Sequence, residues 1–201
     1  MSVHFSTGCQ HTRGRDDVKR IFLTLAMVST VLLVGAFVLG SSITDAKEPT
    51  EAAQAVVRRH FLTALGALVF AALVHAIVLT YFMGTGRWME ETSRAYRLDA
   101  VWLEESRSLK YRTITTMSVC LLLLILTGGF GAAADPASPV QFRGWWGVEP
   151  AMIHFLSAAT VLSVNVLVNF WEFVAIHRNS VLIEEVLQQV RRIRQERGLP
   201  V

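Results

Sequence analysis

Asn165, Asn169 and Glu172 recur at i, i+4 and i+7 inside an otherwise apolar run, so a helix there carries two amides and a carboxylate on one face. A second run holds His75 as its one strongly polar side chain. Counting about 1.5 Å per residue from the boundary of each run puts His75 and Asn165 at one depth, with Cys120, Ser29 and Thr30 near that level. Polar groups in hydrocarbon face protein or water and mark proton, ion or ligand sites. The plainer role is structural, because interhelical hydrogen bonds contribute about 0.6 kcal/mol each and fix packing. The spacing predicts an intramembrane polar cluster of His75, Asn165, Asn169 and Glu172, with Glu172 near enough to the boundary to reach Arg178 or water.

His60 and His154 head two copies of one motif, His60-Phe61-Leu62-Thr63-Ala64 and His154-Phe155-Leu156-Ser157-Ala158. Two imidazoles at equal depth on facing helices could ligate a haem iron axially or bind a metal. Arg58 and Arg59 would then meet haem propionates, and Ala64 and Gly66 would leave room for the macrocycle. The alternative is interfacial packing. Trp88–Glu91 and Trp102–Glu105 share a Trp-x-Glu-Glu pattern without the Glu-x-x-His of di-iron bundles, so salt bridging suits it better. No nucleophile elbow, phosphate loop, HExxH or paired CxxC occurs, and no enzyme is expected.

The elements that must hold these residues are membrane spans. The chain has 201 residues, 52% of them hydrophobic. Residues 21–40, 61–83, 113–134 and 151–175 are four long runs with Glu172 their one formal charge. Each reaches the ~20 residues that a helix needs to cross the hydrocarbon of a bilayer. The fold expected is all-α, with four transmembrane helices.

Lys and Arg set the orientation. Fifteen lie in residues 1–20, 84–112 and 176–201, against four (Lys47, Arg58, Arg59 and Arg143) in the other two loops. The positive-inside rule puts both termini and the middle loop in the cytoplasm and the protein in the plasma (inner) membrane. The basic pI of 9.2 is then topological and implies no nucleic acid. Cys9 falls in the tail and Cys120 in a span, so no disulfide is expected.

The chain also repeats itself. At an offset of 94, residues 60–91 match 154–185 with nine identities, including His60/His154 and Glu90-Glu91/Glu184-Glu185, and His75 falls on Asn169. At 93, Gly35-Ala36-Phe37 falls on Gly128-Gly129-Phe130. This predicts a cytoplasmic tail, 1–18, and two parallel hairpin repeats, 19–109 and 110–201, related by a pseudo-twofold along the membrane normal. Each repeat ends in an amphipathic cytoplasmic helix, 87–109 and 180–197, with apolar faces such as Trp88, Met89, Trp102 and Leu103, or Ile183, Val186, Leu187 and Val190.

The function expected first is a non-catalytic structural or accessory subunit, in contact with the lipid bilayer, docking a protein partner or a second copy through 87–109 and 180–197. No cofactor belongs to that reading. A small b-type haem or quinone-associated electron carrier using His60 and His154 is the rival. A transporter or channel using the polar face of His75, Asn165, Asn169 and Glu172 is the third.

Overall fold

The four apolar runs nucleate helices that continue well past the hydrocarbon. These are α1 (Thr7–Ser41), α2 (Glu51–Tyr96), α3 (Ala100–Ala134) and α4 (Pro150–Glu196). The computed structural model describes residues 7–140 and 142–200, with side chains from residue 17. All four helices are long and apolar enough to cross a membrane, which marks an all-helical membrane protein. Local chemistry sets their ends. Thr50 Oγ1 accepts the Ala53 amide at 3.4 Å and caps α2. Pro150 opens α4, where its missing N–H is not needed.

The tail assigned to 1–18 is helical from Thr7, while residues 1–6 lie outside the described residues. The single helix expected over 87–109 does not form, because the chain turns at 97–99. Arg97 takes a left-handed φ of 53°, and the Leu98 amide donates back to the Ser93 carbonyl at 3.0 Å. That is a helix-ending Schellman bond. Asp99 Oδ1 then accepts the Val101 amide at 3.0 Å and starts α3. The break has no glycine or proline, the residues that usually announce one. Residues 87–96 extend α2, residues 100–109 begin α3, and residues 180–196 extend α4 without interruption.

The chain forms two compact units. One comprises Leu25–Ala76 and Thr115–Asn169. Its core takes Leu33 and Ala36 from α1, Ala67 and Ala71 from α2, Cys120 and Leu124 from α3, and Val161 and Val168 from α4. All four helices therefore meet in one apolar seam. The other comprises Ile77–Ile114 and Phe170–Val201 with Met1–Thr24. There Met89, Leu182, Val186 and Val190 are buried against Trp88, Tyr96, Leu98, Trp102, Leu103 and Ile183. The apolar faces that the sequence assigned to separate cytoplasmic helices are thus spent on one another.

Burial recurs along the chain at two fixed offsets. In α1, Phe22, Ala26, Ser29, Leu33 and Ala36 are buried, and so are Thr113, Met117, Cys120, Leu124 and Thr127, each 91 residues on. In α2, Ala67, Ala71, Val74, His75, Val78 and Phe82 are buried, and so are Val161, Asn165, Val168, Asn169, Glu172 and Ile176, each 94 residues on. Gly35-Ala36-Phe37 predicts an offset of 93 for α1 against α3, whereas the burial of these residues recurs at 91. Lys19/Lys110, Thr24/Thr115 and Gly40/Gly131 coincide at that register.

Candidate functional site

Both motif histidines lie against a glycine of a neighbouring helix. His60 Nδ1 lies 2.9 Å from the Ala36 carbonyl oxygen of α1. A Cβ placed on Gly40, one turn further along, would stand 2.8 Å from His60 Cε1. In the second half, a Cβ on Gly131 would stand 2.9 Å from His154 Cε1. The backbone of Thr127, one turn before Gly131, is the polar neighbour of the His154 ring. His154 Nδ1 is buried there without a hydrogen bond of good geometry. Each imidazole thus lays its Nδ1–Cε1 edge into a notch that only glycine provides. The two ring centres are 6.1 Å apart with 68° between the planes. At His60, the carbonyl contact selects the Nδ1–H tautomer and leaves Nε2 with its lone pair, as a metal-ligating histidine requires. Sequence reading named both histidines and missed Gly40 and Gly131. It also expected Gly66 to leave room for a macrocycle, and a Cβ there meets nothing within 4 Å.

The polar residues deeper in the spans separate into parts. His75 and Asn165 are wholly buried, and His75 Nε2 lies 3.2 Å from Asn165 Oδ1. The amide oxygen accepts, so His75 is in its Nε2–H tautomer. Cys120 Sγ donates to the same oxygen at 3.7 Å. Asn169 is buried, with neither its Nδ2 nor its Oδ1 partnered, and Ser29 Oγ and Asn165 Nδ2 are buried and unpartnered as well. Leaving such a group unmatched costs about 1–3 kcal/mol. Thr30 does not join, because its hydroxyl donates to the Ala26 carbonyl of its own helix at 2.8 Å.

Glu172 belongs to the other unit and is wholly buried. Arg178, which the sequence offered as its neighbour, pairs instead with Glu105 and Glu185. Its Nη2 donates to Glu105 Oε2 at 2.8 Å and its Nη1 to Glu185 Oε1 at 3.3 Å. Arg178 holds the Glu105 carboxyl below its ordinary range by hydrogen bonding. In the same unit the Asn179 amide donates to Tyr81 Oη and Thr85 Oγ1, both at 3.1 Å. Sequence reading passed over this trio, although Tyr81 and Thr85 stand one helical turn apart.

No family model, curated protein or solved structure matches the chain.

Proposed function

We propose that this is an integral membrane subunit of two fused, parallel hairpins that holds a b-type haem between His60 and His154 and carries single electrons. The matching glycine contacts of two neighbouring imidazoles carry this reading. The two ring centres stand 6.1 Å apart, near enough for both imidazoles to hold one metal centre. Among the described residues no group of three or more His, Cys, Asp or Glu is placed to hold a bare ion. His60 and His154 would be the two protein ligands of a haem, whose macrocycle would bring the remaining nitrogen donors. The glycine notches orient both rings, and the exposed Arg58 and Arg59 next to His60 offer cations to acidic substituents. The haem would supply one-electron redox chemistry, and the chain's part is to fix two ligands and exclude water.

The recurrence of burial at 91 and 94 supports duplication of a hairpin, with His60 and His154 as mates about a pseudo-twofold along the membrane normal. The charge distribution supports cytoplasmic termini in a plasma (inner) membrane. Docking of a protein partner or second copy on 87–109 and 180–197 is a separate proposal. With their apolar faces buried on each other, it now concerns the charged surface around Arg87, Glu91, Arg192 and Glu196. Purification from a haem-replete host tests the haem reading. A coloured protein that loses its colour on His154→Ala is expected. A colourless protein that also fails to take up added hemin would remove the reading.

A further inference from the structure

The two offsets map one polar constellation onto a depleted copy of itself. His75, Asn165 and Cys120 fall on Asn169, Ala71 and Ser29. In the first set, the His75 imidazole and the Cys120 thiol converge on the Asn165 amide oxygen. In the second, the position of that amide is Ala71, wholly buried and without a polar side-chain atom. The atoms that its oxygen would have met, Ser29 Oγ and the Asn169 amide, are among those left buried and unpartnered. All six residues belong to the same unit and lie at its core.

From this broken symmetry we infer that the space over Ala71 is a binding site for ordered water, which takes the place of the absent amide and bridges Ser29 to Asn169. The inference rests on the twofold proposed above and not on a group between the histidines. Each of the three replacements is to a smaller side chain: histidine to asparagine, asparagine to alanine, cysteine to serine. Together they remove side-chain volume on the order of two to three waters, at about 30 Å³ each. The site is also polar enough, since a buried water uses two to four partners. Ser29 Oγ, Asn169 Nδ2 and Oδ1, and the spare Asn165 Nδ2 supply donors and acceptors of both kinds. No ionised side chain belongs to the constellation, so a neutral molecule fits it better than an ion.

Three variants of the full chain in detergent or nanodiscs test this. Ala71→Asn restores the missing amide and should raise Tm by about 2–4 °C. Ala71→Val fills similar volume without hydrogen bonds and should lower Tm. Ser29→Ala removes one partner of the water and should also lower Tm. A high-resolution structure should show density between Ser29 and Asn169 that vanishes in Ala71→Asn. If Ala71→Asn and Ala71→Val lower Tm alike, or if Ser29→Ala raises it by deleting a dry orphan hydroxyl, the inference is overturned.

Discussion

His75 Nε2 stands 3.2 Å from Asn165 Oδ1, and neither side chain has any exposed surface. Those partners are 90 residues apart and join α2 to α4. The oxygen is shared with Cys120, so removing the amide leaves two donors without an acceptor, whereas removing His75 leaves Asn165 one donor. Asn165→Leu should therefore destabilise more than His75→Leu. A double-mutant cycle read by denaturant unfolding should give a coupling of about 0.6–1.7 kcal/mol. Additive losses would mean that the pair does not interact.

The glycine notches can be tested against controls on their own helices. A Cβ at Gly131 would meet His154 Cε1 at 2.9 Å, while a Cβ at Gly129 meets nothing within 4 Å. Gly129→Ala should gain up to about 1 kcal/mol from helix propensity. Gly131→Ala should fall about 1–3 kcal/mol below it, because the ring must be displaced. Gly40→Ala against Gly35→Ala should repeat the difference, since Gly35 is also unobstructed. Equal thermal stabilities within each pair would show that the histidines are not seated there.

At the turn between α2 and α3, Arg97 bears a left-handed backbone at φ 53°. An L-residue with a Cβ is strained there by about 1–2 kcal/mol, and glycine is not. Arg97→Gly should raise stability by about 1 kcal/mol. A loss on thermal unfolding would mean that the arginine side chain matters more than its backbone.

How much of this was legible beforehand depended on the kind of signal. The four spans announce themselves, since long uncharged runs have few other uses. His60 and His154 stood out because polar identities are rare in such a composition. The end of α2 did not, because Arg97 adopts a glycine's conformation and Asp99 caps a helix within a pattern that reads as continuous. The offset of α1 on α3 differs between the sequence match and the burial pattern for a related reason. Gly35-Ala36-Phe37 resembles Gly128-Gly129-Phe130 closely, whereas the scattered matches at 91 acquire weight only when the buried faces are known. The full burial of Glu172 was not legible, because a position near the end of an apolar run does not say which helices pack over it.

Glu105 is held below its ordinary range chiefly by the Arg178 hydrogen bond. A lowered folded-state value contributes stability that is present above the ordinary carboxylate range and lost as pH falls through the lowered one. Both side chains are more than a third exposed, at 34% and 40%, so solvent screening limits the contribution to about 1 kcal/mol or less. Wild type should therefore exceed Glu105→Gln slightly at neutral pH, and the two should converge in acid. A gap that widens on acidification would assign the wrong sign.

The most direct measurement is a hemin titration of the purified chain, followed by visible absorption, beside its His60→Ala, His154→Ala and His75→Ala variants. The first two rings stand 6.1 Å apart, each against a glycine, and the account gives them equal roles. Wild type and His75→Ala should both give a low-spin, six-coordinate spectrum at one equivalent, and His60→Ala and His154→Ala should each lose it to a similar degree. No spectral change with wild type, or a change indifferent to both motif histidines, would contradict the account.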